Sequence, residues 1–128
     1  MQNTSDDLTQ SSNESIQHYL NTPDLLRDLL LQLTKDFQTA QLPLKLETIE
    51  YPSFGGLCDH IVRLLEKHLA EGKTLKNVLI RVDLTEKQIK RAIPGPLSAN
   101  LLPLAELIIK RELQKVVIRY WYRKAADG

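Results

Sequence analysis

In the stretch GLCDHIVRLLEKHLAEG the residues Leu57, Ile61, Leu64, Leu65 and Leu69 recur at helical spacing and make one apolar stripe. A helix with such a stripe is stable only when another apolar layer covers it, so the rest of the chain must supply that layer. Gly72 stands where this helix would close in the left-handed conformation, and Ser53 or one of the glycines after it where the helix would begin. With 128 residues the chain has room for one ordinary domain, large enough to bury roughly two-thirds of its unfolded surface. Hydrophobic residues make up 42% of it but aromatics only 5%, so Leu, Ile and Val must fill the core.

A second helix is expected at TPDLLRDLLLQLTKDF, where Thr22 is placed to cap, Pro23 suits the first helical position and Asp24 meets the positive end of the dipole. Leu26, Leu29, Leu30, Leu33 and Phe37 form its stripe. Leu25 and Leu31 fall off that stripe, which points to a second covered side, by the fold or by a partner. The turn SIQHYL extends this helix backwards. Residues 1–14 are polar and acidic with almost nothing to bury, and read as a flexible acidic tail ahead of a single domain over 15–126.

Three segments alternate in the manner of strands. PLKLETIEY sets Leu44, Leu46 and Thr48 against Lys45, Glu47 and Ile49, and KNVLIRVD sets Val78, Ile80 and Val82 against Asn77, Leu79 and Arg81. In the terminal KVVIRYWYRKAADG, Val116, Ile118, Tyr120 and Tyr122 alternate with Val117, Arg119, Trp121 and Arg123. A short helix at TEKQIKRAI carries Thr85 and Gln88 at capping-box spacing, Pro94 and Pro96 stop it, and Asn100 can cap LLPLAELIIKREL. The expected order is α-β-α-β-α-α-β, an α+β domain with a small three-stranded sheet whose first two strands are parallel neighbours.

That topology would bring the SFGG turn (Ser53, Gly55, Gly56) and Asp83 together at the carboxyl edge of the sheet, a possible anion site for an enzyme. No P-loop or GxGxxG supports it. Cys58, Asp59 and His60 do not form a catalytic set, because on a helix Cys58 and His60 point about 200° apart. Cys58 reads as a small core residue. His60 and His68 stand roughly 12 Å apart along the axis, too far to share a metal. No metal, cofactor or paired catalytic carboxylates are indicated, and the reading leans away from an enzyme.

The terminal stretch is the remaining candidate. From Lys110 onward there are six bases against Glu112 and Asp127, while residues 1–24 carry four acids and no Lys or Arg. Trp121 between Arg119 and Arg123, with Lys124 following, suits either a protein partner or, second, single-stranded nucleic acid. The net charge of only +1 favours protein. Leu25 and Leu31 join the same partner-binding set. The expectation is a small non-catalytic interaction module that docks onto a protein partner or onto itself. No apolar run of about 18 residues spans a membrane, the N-terminus lacks the features of a secretory signal, and the single cysteine suits the cytoplasm.

Overall fold

The computed structural model describes residues 7–46 and 53–127, and every regular element among them is helical. The α-helices are α1 (Asn13–Leu20), α2 (Pro23–Thr39), α3 (Phe54–Ala70), α4 (Lys76–Val82), α5 (Glu86–Ala92) and α6 (Leu101–Asp127), with short 3-10 turns at Leu8–Gln10 and Leu97–Ala99. The fold is therefore all-α, and the α+β expectation is overturned. No strand occurs among the described residues, so the three-stranded sheet and its parallel pair have no counterpart there.

Each expected strand has its own correction. KNVLIRV is α4, in which Val78 and Val82 are buried one helical turn apart while Ile80 between them is 60% exposed. Alternation and helical spacing share Val78 and Val82, and only Ile80 distinguishes them. Val116 to Tyr122 lie inside α6, which runs unbroken for 27 residues. Leu42 to Leu46 do alternate, with Leu42, Leu44 and Leu46 buried and Pro43 and Lys45 exposed, but without a strand: residues 42–45 have no regular structure and Leu46 begins a 3-10 turn. The remainder of that segment, residues 47–51, lies outside the described residues.

α6 is the axis of the molecule and packs against α2, α3, α4, α5 and the Leu8–Gln10 turn. Lys110 lies over the Phe54 ring at the start of α3, and Lys115 and Arg123 pair with Asp36 and Asp28 of α2. As the α6 number rises the α2 number falls, so α2 runs antiparallel along the second half of α6. The N-terminal segment closes one side. Leu8 is buried, Ser12 caps α1 by accepting from the Ser15 N–H at 3.2 Å, and the Asn13 amide donates to Glu106 of α6 at 2.9 Å. Of the expected tail, residues 1–6 lie outside the described residues. SIQHYL belongs to a separate helix, because Pro23 has no N–H to carry α1 onward and α2 restarts after Thr22.

The ends of α2, α3 and α4 share one mechanism. In each, a residue at the end is left-handed: Gln41 (φ 66) and Gly72 (φ 80) just after the cap, and Asp83 (φ 67) at the cap itself. The next N–H reaches back across the last turn, Leu42 to Phe37 O at 2.8 Å, Lys73 to His68 O at 3.2 Å and Leu84 to Leu79 O at 3.2 Å. Only Gly72 adopts this conformation without a steric cost from Cβ. Gln41→Gly should therefore leave the fold unchanged and raise stability by up to about 1 kcal/mol, while Gly72→Ala should lower it by about 1–2 kcal/mol. Urea unfolding of the two variants checks both signs.

Candidate functional site

The start of α3, once a candidate anion site, is occupied by its own chain. Ser53 Oγ accepts from the Gly56 N–H at 3.0 Å, and the Phe54 N–H donates to Gln17 Oε1 at 2.9 Å. Gly55 is open to solvent, and Gly56 has room for only its own cap. Asp83 has become the left-handed end of α4, where Arg111 donates to its carbonyl at 3.0 Å and to its carboxylate at 3.1 Å. The sheet edge that was to unite Asp83 with Ser53, Gly55 and Gly56 does not exist among the described residues, and the anion-site argument falls with it. Cys58 is buried, and burial, helped by the charges of Glu106 and Asp59, pushes its thiol up to about 12. A thiol held protonated in this way is a poor nucleophile. Among the described residues no group of three or more His, Cys, Asp or Glu is placed to hold a metal, and no helix is long and apolar enough to cross a membrane.

The residues singled out near the C-terminus are redistributed by the helix. Arg119 and Arg123, four apart, share the side of α6 that faces α2, where they line a groove of about 470 Å³ with Tyr122, Asp28, Leu31, Gln32 and Lys35. Trp121 points about 200° away from Arg119, toward the N-terminal turn. There it lines a second depression with Leu8, Tyr19, Val117, Ile118 and Tyr122, the last of which borders both. Lys124 lies over the Tyr120 ring at 5.4 Å. Leu25 is in the core at 6% exposed and offers no surface, whereas Leu31 is 62% exposed. With Trp121 at 63% and Tyr122 at 74%, these make the C-terminal end of α6 and the adjoining face of α2 the place where large apolar side chains meet solvent together.

The basic surplus of the C-terminal segment is mostly consumed within the fold. Lys110 lies over Phe54, Arg111 holds Asp83, Lys115 is drawn inward and Arg123 pairs with Asp28 at 3.0 Å. Arg119 has no ion pair among the described residues, and neither has Lys35 across the groove.

Beneath the groove lies a polar cluster that sequence reasoning missed. Lys115 Nζ sits 3.0 Å from Asp36 Oδ2, 3.0 Å from the Arg81 carbonyl and 2.9 Å from Glu112 Oε2, and Gln32 donates to Asp36 Oδ2 at 2.9 Å. Glu112 is fully buried. Burial, reinforced by the Asp36 carboxylate beside it, pushes its carboxyl up to about 8 against the opposing pull of Lys115. Burial works against the Asp36 anion too, but Glu112, Gln32 and Lys115 outweigh it and hold Asp36 below its ordinary value. Near neutral pH the cluster is then one cation, one anion and one neutral acid, which costs far less to bury than two anions. The signal was present in the sequence: Gln32 and Asp36 lie among Leu29, Leu33 and Phe37, and Glu112 and Lys115 among Ile109, Leu113 and Val116, polar residues set into apolar faces.

Comparison of the chain with protein-family models, curated proteins and solved structures found no match.

The cluster makes stability depend on pH in a defined direction. Glu112 binds its proton more tightly folded than unfolded, so its contribution is full below the ordinary value of 4.5 and is lost as pH rises toward about 8. Asp36 acts oppositely, and its contribution is lost only as pH falls below its ordinary value of 3.8. Glu112→Gln, which keeps the shape and removes the titration, should flatten the decline between about pH 4.5 and 8 and be more stable than wild type at the alkaline end. Lys115→Met should cost on the order of 3 kcal/mol at neutral pH, because it leaves the buried carboxylate uncompensated. Urea midpoints across the pH range measure both.

Proposed function

We propose that this protein is a non-catalytic docking module whose working surface is the C-terminal third of α6 together with the outer face of α2. The observation that supports this reading most directly is the shared exposure of Leu31 and Tyr122 on adjoining helices, in one groove with Arg119 and Arg123. Scattered exposed apolar residues need no explanation, but several together beside arginines have the composition of an interface anchor. A protein partner, or a second copy, fits better than nucleic acid. Stacking and phosphate pairing on one face require Trp121 and the arginines side by side, and the helix sends them to different sides while Asp28 engages Arg123. The Cys58 thiol, free and buried, suits a reducing compartment, and the proposal places the module in the cytoplasm.

The test compares variants of equal disruption at different places. Leu31→Asp and Tyr122→Ser remove the proposed anchors, and Ile80→Asp alters a residue of similar exposure on α4. Light scattering of the purified chain over a wide concentration range, with chemical cross-linking in cells, should detect a defined self-complex or hetero-complex. Leu31→Asp and Tyr122→Ser should each weaken that complex by at least about tenfold, and Ile80→Asp should leave it intact, all three keeping wild-type helicity by circular dichroism. A monomer without complexes, or complexes indifferent to Leu31 and Tyr122, would overturn the reading.

A further inference from the structure

From the groove between α2 and α6 we infer that the partner is an acidic amphipathic helix, which lays its apolar stripe on Leu31 and Tyr122 and its carboxylates against Lys35 and Arg119. This rests on the docking reading above and adds the chemistry of what docks.

Shape is the first support. The groove is the seam of two antiparallel helices, and its walls are rows spaced one helical turn apart: Asp28, Leu31 or Gln32, and Lys35 on α2, facing Arg119, Tyr122 and Arg123 on α6. Rows of that spacing receive the ridges of a third helix, and helix-in-groove recognition uses apolar anchors one turn apart. Leu31 and Tyr122 are the two most exposed apolar side chains lining that seam.

Charge is the second. Lys35, Arg119 and Arg123 face a single acid, Asp28, and Asp28 is already taken by Arg123. Lys35 and Arg119 are therefore left without an anion among the described residues, one on each wall of the apolar strip. A basic helix would be repelled by both walls. A neutral one would bury Leu31 and Tyr122 but leave two cations against its edge, whereas Glu or Asp flanking an apolar stripe satisfies both. Tyr122 also borders the depression around Trp121, but that depression carries no basic side chain, so the charge match belongs to the groove.

The experiment titrates the full chain into a fluorescein-labelled synthetic helix of about 16 residues carrying leucines at helical spacing and glutamates on both flanks. Two further peptides replace every glutamate with Gln or with Lys, and a single-stranded RNA oligomer is the fourth probe. Fluorescence anisotropy should show saturable binding of the glutamate peptide only, weakening between about 50 mM and 300 mM salt. Lys35→Glu and Arg119→Glu should each reduce affinity by about tenfold or more, and Ile80→Asp, on α4 away from the groove, should not change it. Both charge variants alter exposed side chains, and circular dichroism confirms their folding. Equal binding of the Gln or Lys peptide, binding that ignores both charge reversals, absence of binding by the glutamate peptide, or binding of RNA in its place each overturns the inference. If the complexes described above depend on Leu31 and Tyr122 but the glutamate peptide fails, only the acidic chemistry falls; if those complexes are also absent, the docking reading falls with it.

Discussion

The first half of α6 is apolar on nearly every side. Leu104, Ala105, Leu107, Ile108, Ile109, Leu113 and Val116 are all buried, and no single stripe contains them. A helix hydrophobic all round must be surrounded, and this requirement decides where everything else goes. α3 packs against α6 about Glu106 and Lys110, α2 runs along the half beyond Glu112, and α4, α5 and the N-terminal turn pack on it as well. Since α3 and α2 are 17 residues each and lie along successive halves of a 27-residue helix, neither one shields it fully. The last turns of α6 have α2 on one side and only Leu8 and Tyr19 of the N-terminal segment on the other, and there Ile118, Trp121 and Tyr122 meet solvent. The candidate surface is thus a consequence of a long axis whose cover thins at its end.

The same all-round character explains what the sequence did and did not disclose. α3 is amphipathic, capped by Ser53 and closed by Gly72; its stripe and its closing glycine were legible, and its start was narrowed to Ser53 or one of the glycines after it. So were Pro23 at the start of α2 and the capping box of Thr85 and Gln88, because each follows from a local hydrogen bond or a missing donor. Periodicity fails where a segment is buried on several sides or is too short. Val116 to Tyr122 spread around a helical wheel because the helix before them is enclosed, and β-branched content then favoured a strand. α4 is only seven residues long, and its two buried valines fit either period. The left-handed ends at Gln41 and Asp83 had no glycine to announce them, so Asp83 was read as a site residue when it ends a helix.

Of the site, the residue types were legible and their juxtaposition was not. Leu31, Arg119 and Arg123 were each visible as residues that an isolated core would not need, and the structure gathers them in one groove. Trp121 goes to the other side because a helix turns 100° per residue where a strand turns 180°. Leu25, paired with Leu31 on the sequence, ends in the core, since six residues along a helix carry a side chain well over half a turn farther round. Lys35 drew no notice, because a lysine on a helix is ordinary until Arg119 is found opposite it.

What holds that groove in its present form is the polar cluster beneath it. A seam of leucines alone tolerates a slip of one turn, since one leucine can take the place of the next. Lys115 does not permit this: it donates to Asp36 and the Arg81 carbonyl and lies 2.9 Å from Glu112 Oε2, and moving α2 by a turn would strand a buried charge. Arg123 repeats the constraint two turns on, pairing with Asp28 two turns before Asp36 on α2. Pairs at Lys115 with Asp36 and at Arg123 with Asp28 fix a single register, and in that register Leu31 and Tyr122 share a groove while Lys35 stands across from Arg119. Burying Glu112 costs stability that an apolar residue there would not, and its return is positional: the charges that cannot leave the interior determine which side chains are presented outside it.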